Sequence, residues 1–413
     1  MKKIKITILV ISLSFLSYLS LNGFSSFNNS PANKTKSGTS KKITDNYVCK
    51  DKSIIIIEGY FITKNSSRIL KAVKNSLEYL EENAGKFPCR TFKIIETPKS
   101  ISKEESFFPG GFNICSEHII PSKVHSIERK CAYNVSIQYF ENLDEPDWVK
   151  KGLAAFFSDK IVNKYYGAEN EHFIVSDYYP VYGYNLLSYH NIPLIYTIGS
   201  YGINEGEIFL KDYYKRIKYG AISDSASAYP DNLTFEINKK NKPAILFYTL
   251  ENLKGKEFIK NAVKKILNDK GNFFDILKRD FGADSTLFIE NFITQNKVFD
   301  YAVSGIWEKD SKNYVLLLER LGDGILPQQV NVFTKNDTLS FLWNGIEKVK
   351  LLRIKSSGRI IAAQIDPAYT NLFDINIANN SYKSQADYSA TVSLSVRWFF
   401  WIQNLLMTSG SAG

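Results

Sequence analysis

The sequence predicts an α+β protein in two parts. A domain of strands and helices, mostly helical in its second half, is predicted over residues 46–305, and a small antiparallel β-sandwich over residues 306–385. Three observations predict this class. Short apolar strands alternate with apolar residues at helical spacing after residue 50. From Trp307 the pattern changes to short alternating segments between Gly, Asn and Asp turns. The 413 residues, 44% hydrophobic and 14% aromatic, are enough for two domains with a sizeable core.

Residues 1–25 are predicted to be a signal peptide or an N-terminal membrane anchor. Lys2, Lys3 and Lys5 precede an apolar run over residues 6–21. A basic start before such a run directs the following chain out of the cytoplasm. We therefore expect an extracytoplasmic protein, in the periplasm or at the cell surface, either secreted or membrane-anchored. Residues 26–45 are rich in Ser, Asn, Lys and Thr and are predicted to be a flexible linker.

Charge and cysteine content narrow the function classes. The net charge of +10 is spread along the chain, and no basic stripe with interleaved aromatic residues occurs, so we expect no nucleic-acid binding. The four cysteines are Cys49, Cys89, Cys115 and Cys131. In an exported chain they could form two disulfides in any of three pairings, or remain buried thiols, and the sequence leaves these alternatives open. Their spacing does not match a zinc site.

The elements of residues 46–305 are predicted from apolar periodicity. A helical pattern runs through Ile69, Val73, Leu77 and Leu80, and later helices are expected at residues 257–267, 273–281 and 285–294. Strands are expected at residues 54–57, 92–95 and 114–120, the last after a glycine turn. The sandwich strands are predicted at residues 314–319, 330–333, 339–343, 349–354 and 360–365.

The tail, residues 386–413, contains a short aromatic segment between Trp398 and Leu406. About a dozen apolar residues are too few to span a bilayer, which needs about 20. Two Trp and one Arg suit an interfacial helix that contacts a membrane, or a segment that enters a partner's groove. A terminal helix packed on its own domain is the alternative.

The most informative stretch is residues 133–157, YNVSIQYFENLDEPDWVKKGLAAFF. Its first eight residues resemble H-E-I-S-H-Q-Y-F, and WVKKGLA at residues 148–154 resembles W-L-x-E-G-L-A. These are the two zinc-binding helices of the gluzincin zinc aminopeptidases, the membrane alanyl aminopeptidase family. The resemblance implies a gluzincin, thermolysin-like domain. The alternative is two ordinary amphipathic helices joined by a turn at Pro146.

In this resemblance every chemical position is replaced. Tyr133 and Ile137 stand at the two His positions, Asn134 at the general base, and Lys151 at the third ligand, a Glu. Residues 242–253 resemble a later family helix, and Lys240 stands where active members carry a Tyr that stabilises the oxyanion. The resemblance therefore implies no metal site and no cofactor, although the family itself uses zinc. We expect the Lys151 ammonium to hydrogen-bond Asn134 or Tyr133.

Three short upstream segments also resemble the family. Residues 72–79, 85–88 and 94–98 match its entry helix, its F-G-x-Y-P turn and its I-E-x-P strand end. Gly110, Gly111, Phe112 and Asn113 fall where the family carries the strand that binds the substrate backbone, without the family's Glu. The resemblance implies that these four residues, with Tyr133 and Lys151, bind a ligand; a plain turn before a strand explains the glycines equally well.

Three functions are compatible with the sequence. The first is a catalytically inactive aminopeptidase homologue that binds a peptide or protein partner in the old cleft. The second is an active peptidase with non-standard ligands, so the sequence leaves open whether the chain is an enzyme. The third is a membrane-associated assembly or transport accessory factor that acts through the β-sandwich and the aromatic tail.

Overall fold

The structure is a computed structural model of the chain. It describes residues 40–98, 106–115, 125–167, 180–181, 184–185, 206–216, 218–269, 271–310, 312–384, 392–393, 395–396, 398–403 and 406. The predicted signal or anchor, residues 1–25, lies outside them. The chain divides into residues 1–41 and residues 42–413, and the fold below is that of the second unit. Its helices and strands confirm the α+β class.

The first layer is a five-stranded sheet. Its strands are β1 (Lys41–Val48), β2 (Ile54–Phe61), β3 (Thr91–Thr97), β4 (Ser106–Phe108) and β5 (Gly111–Cys115), in the order β1-β2-β3-β5-β4. The pairs β2–β3 and β3–β5 are parallel, whereas β4 is antiparallel to β5 and forms one edge. Alternate residues of β2 and β3 are buried, as expected for a sheet with one face on the core.

The predicted linker ends earlier than its composition indicates. Strand β1 begins at Lys41, inside the stretch predicted to be flexible through residue 45. Ile43 and Tyr47 alternate with exposed polar residues and pack against the core. Tyr47 also donates a hydrogen bond to Glu81 at 2.7 Å. Pairing along the sheet edge therefore orders residues that a composition argument assigns to a linker.

Helices form the second layer, and the first two of them contact the sheet. They are α1 (Ser66–Asn83), α2 (Ser126–Phe140), α3 (Asp147–Tyr166), α4 (Leu210–Arg216), α5 (Asn232–Lys254), α6 (Phe258–Asp269), α7 (Phe273–Phe281) and α8 (Ser285–Ile289). A π-helical turn, Glu290–Thr294, follows α8. Between α3 and α4 lies a short hairpin of two-residue strands, β6 (Pro180–Val181) and β7 (Tyr184–Asn185).

Side-chain caps explain where two helices begin. Helix α7 begins at its predicted residue, whereas α5 begins at Asn232, before the predicted segment 242–253. The Asp231 carboxylate accepts the Thr234 N–H at 2.7 Å at the start of α5, and the Asn272 side chain accepts the Asp275 N–H at 2.8 Å at the start of α7. The buried face of α1 contains Ile69, as the spacing predicts. Strand 114–120 is confirmed only in its first part, because β5 spans Gly111–Cys115 and residues 116–124 lie outside the described chain.

The C-terminal part consists of two antiparallel sheets. Its strands are β8 (Tyr301–Asp310), β9 (Asn313–Arg320), β10 (Gln328–Thr334), β11 (Thr338–Trp343), β12 (Val349–Lys355), β13 (Ile360–Ile365) and β14 (Ser381–Lys383). One sheet has the order β11-β10-β13-β14 and the other β12-β9-β8. Their buried faces meet in a core where the rings of Tyr301 and Trp343 pack edge to face at 5.6 Å. The predicted boundary at residues 305/306 falls inside β8.

The cysteines and the tail bear on the predictions made from the sequence. None of the four cysteines is in a disulfide; Cys49, Cys115 and Cys131 are buried. In the tail, the described residues are helical, and Trp398, Phe399, Phe400, Trp401 and Ile402 are each half exposed or nearly so. No helix in the described part of the chain is long and apolar enough to cross a membrane.

Candidate functional site

Three helices meet at the candidate site. Helices α2 and α3 carry residues 133–157, and α5 carries Lys240. Helices α3 and α5 approach closely because residue 152 is glycine: a Cβ there would lie 2.4 Å from Pro243 Cβ and 3.0 Å from a ring carbon of Phe247. The two motifs that are furthest apart in sequence are therefore packed against each other.

Tyr133 and Lys240 are in direct contact. The Lys240 ammonium lies over the Tyr133 ring, 3.6 Å from its centroid, which is a cation–π arrangement. The ring is partly buried against the core. Burial, followed by the nearby carboxylates Glu236 and Glu141, raises the pKa of the Tyr133 hydroxyl well above its usual value of 10, so Tyr133 is a neutral phenol at neutral pH.

Lys151 pairs with a residue that the sequence did not single out. Its ammonium donates a hydrogen bond to Glu236 Oε2 at 2.7 Å, in a partly exposed ion pair between α3 and α5. Glu236 lies one helical turn before Lys240 on α5. The predicted hydrogen bond from Lys151 to Asn134 or Tyr133 is wrong, because a carboxylate on the facing helix is a stronger partner for an ammonium than a neutral group.

Asn134 and Ile137 form the buried back of the site. The Asn134 side chain donates to the Lys130 carbonyl oxygen of its own helix at 2.9 Å, and it is buried. Ile137 is fully buried in the hydrophobic core. Neither residue offers a group that could activate a water molecule: an amide is not a general base, and Ile137 is hydrocarbon.

Zinc does not fit this arrangement. Zinc sites are built from Cys, His, Asp and Glu, whereas the positions implied by the resemblance present an aromatic ring under an ammonium, a buried hydrocarbon and an ion-paired ammonium. Nowhere in the described residues do three His, Cys, Asp or Glu side chains lie close enough to hold a metal ion. The positions implied by the resemblance therefore do not form a zinc site.

Two more lysines of α5 are held inside the protein. Lys239 donates to the carbonyl oxygens of Ile222 and Asp224, at 2.7 and 2.5 Å. Lys242 donates to the Gly220 carbonyl oxygen at 3.0 Å and to Asn296 Oδ1 at 2.9 Å. Burial lowers the pKa of Lys242 to about 8 and also lowers that of Lys239. Both ammoniums tie α5 to the preceding loop.

Of the predicted ligand-binding residues 110–113, one lies in a turn and another in the hydrophobic core. Gly110, with φ of +77°, forms the turn between β4 and β5, and Phe112 is fully buried against Phe92 with ring centroids 5.8 Å apart. A Cβ at Gly111 would lie 2.1 Å from the Lys93 carbonyl oxygen, so sheet packing requires that glycine. Asn113 donates to Ser106 Oγ at 2.9 Å. Phe112 is therefore a core residue, not a surface for a ligand.

Sequence reasoning missed Gln138, which joins this turn to the site. Its Nε2 donates to the carbonyl oxygens of Phe108 and Gly111, at 2.7 and 3.1 Å, and its Oε1 accepts the Gly110 N–H at 3.1 Å. The Gln in the resembled H-E-I-S-H-Q-Y-F was the available signal. Gln138 is buried and fixes the edge hairpin on α2, beside Ile137.

A second residue that was missed is Asp159 on α3, a buried carboxylate shared by three elements. Arg129 of α2 donates to its Oδ1 at 2.7 Å, and Tyr248 of α5 donates to its Oδ2 at 2.6 Å. The Gly206 N–H donates to the same Oδ2 at 3.1 Å. Because a buried carboxylate must be fully hydrogen-bonded, this set fixes the relative positions of α2, α3 and α5.

No protein-family model matches the sequence, and no curated protein matches it. Among solved structures, Legionella pneumophila aminopeptidase A, in complex with aspartic acid, is similar at 14% identity with a TM-score of 0.49. The match covers 84% of this chain and 39% of that one, so the chain spans about two fifths of the length of that aminopeptidase.

Proposed function

We propose that the chain is an exported, gluzincin-like protein without peptidase activity, which holds a peptide or protein partner where α2, α3 and α5 meet. In this proposal helices α2, α3 and α5 serve binding rather than catalysis. The proposal also assigns the N-terminal segment, residues 1–25, to export.

One observation carries the proposal: the positions that the family resemblance singled out lie together but carry the wrong chemistry. Tyr133, Lys151 and Lys240 come from three helices and meet through the Tyr133–Lys240 contact and the Lys151–Glu236 ion pair. Peptide hydrolysis needs an activated water and a group that stabilises the oxyanion. A neutral phenol and ammonium groups are not bases, and the Glu236 carboxylate is held in an ion pair with Lys151.

The same groups suit a binding role. The Lys151–Glu236 pair is partly exposed, so an incoming carboxylate or amide can exchange with one partner of the pair. The side of the site formed by Lys151 and Glu236 is polar and partly exposed, whereas Ile137 is buried behind it. A peptide end or a charged side chain is therefore the class of ligand we assign to it.

A second candidate follows from the tail. Trp398 and its four apolar neighbours are exposed at consecutive helical positions, which favours the membrane-associated accessory factor among the alternatives. Flotation of the protein with anionic vesicles tests it. We expect flotation to be lost when residues 392–413 are removed and to be unchanged in the Lys151→Met variant.

The inactive function is tested first by metal content and hydrolysis. We expect no stoichiometric zinc in the purified protein by elemental mass spectrometry, and no hydrolysis of aminoacyl or peptide reporters. Stoichiometric zinc, or hydrolysis that a chelator abolishes, would show that the ligands come from other residues and would overturn the proposal.

Binding is tested with a matched pair of variants on α3. Lys151→Met removes the ammonium of the site, whereas Lys164→Met removes an exposed ammonium that pairs with Glu82 at 2.8 Å near the other end of the same helix. We expect peptides selected from a random library on the wild-type protein to bind Lys151→Met at least tenfold more weakly and Lys164→Met unchanged. Equal binding to all three proteins would place the ligand elsewhere.

A further inference from the structure

Strand β12 is an edge of its sheet, and its outer side has no partner strand in the described part of the chain. It pairs with β9 in an unbroken register over seven residues, from Val349↔Glu319 to Lys355↔Asn313. The opposite edge of the same sheet, β8, carries register shifts after Val303 and after Glu308. Bulges of that kind keep a strand edge from pairing, and β12 has none.

The phase of the backbone hydrogen bonds shows which groups face outward. Arg320 donates its N–H to the Lys348 carbonyl at 2.8 Å, and Ser356 donates to the Lys312 carbonyl at 2.9 Å. In an antiparallel ladder, alternate residues direct both backbone groups to the partner strand. Even-numbered residues of β12 therefore face β9. Odd-numbered residues, from Val349 to Lys355, direct their N–H and C=O groups to the open edge.

The same odd-numbered residues place their side chains on the exposed face of the sheet. Val349 and Leu351 are 56% and 61% exposed. On the neighbouring strands, Leu317 lies opposite Leu351, and the half-exposed Trp307 lies opposite Val315. The open edge therefore borders an apolar strip, and large exposed apolar surfaces mark interaction sites.

Charge decides which partner fits. Arg353 and Lys355 give the exposed face of β12 two cations, whereas the Lys350 ammonium is paired with Glu347 at 2.7 Å. Two copies of β12 paired edge to edge would bring together two cationic strands, which is unfavourable. Lysines on an edge strand oppose such self-association, but they attract a strand with carboxylates at alternate positions.

We propose that β12 receives an extended acidic segment of a partner protein, which adds to the sheet as a further strand. The backbone groups of the odd-numbered residues supply the hydrogen bonds. Val349 and Leu351 contact apolar residues of the segment, and Arg353 and Lys355 pair with its carboxylates. Strand addition of this kind obtains affinity from the backbone and specificity from alternate side chains. The site is separate from the candidate site on α2, α3 and α5.

The test uses the full chain and two capped nonapeptides. The first is Thr-Glu-Thr-Glu-Thr-Val-Thr-Val-Thr, which presents two Glu and two Val on one face of a strand, and the second has Lys in place of both Glu residues. We expect the Glu peptide to bind and the Lys peptide not to bind. Amide hydrogen exchange provides the residue-level readout: the Glu peptide should slow exchange at Leu351, Arg353 and Lys355. Leu352 and Ile354, which already donate to β9, should be unchanged.

Two sets of variants test separately the backbone hydrogen bonds and the side-chain charges of β12. Leu351→Pro removes an N–H that faces the open edge and leaves the β9 ladder intact, so we expect at least tenfold weaker binding. Leu351→Ala, the matched control, keeps that N–H and should lose only a few fold. The double variant Arg353→Glu/Lys355→Glu lies on the surface and should fold; we expect it to lose the Glu peptide tenfold or more and to gain the Lys peptide.

Three outcomes would overturn the proposal. One is equal binding of the two peptides to the wild-type chain, and another is slowed exchange at Leu352 rather than Leu351. The third is concentration-dependent dimerisation that the double charge variant strengthens and the peptides do not affect, which would identify a second copy as the occupant. If Leu351→Pro does not fold, the charge variant and the exchange pattern still decide.

Discussion

The contact between Lys240 and Tyr133 is the most direct test of the candidate site. We consider Lys240→Met, which keeps the length of the side chain without its charge, and Tyr133→Leu, which removes the aromatic face. A cation over an aromatic ring contributes about 0.5–1 kcal/mol when exposed and about 2 kcal/mol when desolvated. At 3.6 Å from a partly buried ring, we expect a coupling free energy of about 1 kcal/mol.

A double-mutant cycle isolates this value. Loss of the Lys240 charge also changes its interaction with Glu236, four residues earlier on α5, by about 0.3–0.5 kcal/mol. That change is common to both backgrounds and cancels in the cycle. The assay is urea unfolding of the wild-type, single and double variants, with the free energy of unfolding compared at equal slopes.

Lys93 and Tyr60 form the control pair. Their ammonium-to-centroid distance is 5.9 Å, close to the limit for an attractive contact, so their coupling should be near zero. A coupling below about 0.3 kcal/mol for Lys240 and Tyr133 would refute the reasoning. The ammonium would then not lie on the ring.

Three further predictions concern the scaffold of the site. Gly152→Ala should destabilise the protein by about 1–3 kcal/mol, because the new Cβ would lie 2.4 Å from the rigid Pro243 ring; urea midpoints measure it, and an unchanged midpoint would contradict the close packing. Gln138→Leu should accelerate amide exchange at Gly110, which loses its acceptor, and similar exchange rates would show that the turn is held without this side chain. Burial raises the pKa of Glu145 to about 7 from 4.5, so its carboxyl destabilises the fold increasingly as pH rises from about 4.5 to about 7. Glu145→Gln should therefore match the wild-type protein at pH 4.5 and be more stable at pH 8 by about 1–2 kcal/mol. The upper limit of this difference is about 3 kcal/mol, at about 1.4 kcal/mol per pKa unit. Equal stability of the two proteins at both pH values would argue against the raised pKa.

Much of the secondary structure could be predicted because local patterns determine it. Helix α1 follows the spacing of Ile69 and Leu80, and α7 begins at the capping residue Asn272. The sandwich strands follow alternation between turns, and β13 (Ile360–Ile365) coincides with its predicted range. Strand β1 was missed because its order comes from pairing with β2, which composition does not reveal.

The site residues were chosen from the family resemblance. It places Tyr133, Lys151 and Lys240 at one candidate site, and the structure brings their three helices together. It could not indicate Glu236, because a surface Glu on a helix carries no local signal of the helix it faces. The roles of Gln138 and Asp159 were equally hidden, since their partners lie on other elements.

The sequence by itself determined the α+β class, most helix and strand positions and the absence of zinc ligands at the positions of the motif, because these depend on residue type and local spacing. Only the tertiary structure decided that Lys151 pairs with Glu236, that Lys240 covers Tyr133, and that Phe112 belongs to the core. It also decided that β12 is an open edge. The physical reason is that hydrogen bonds, ion pairs and burial are relations between elements, and their free energies depend on which side chains the packed chain brings within a few ångströms of each other.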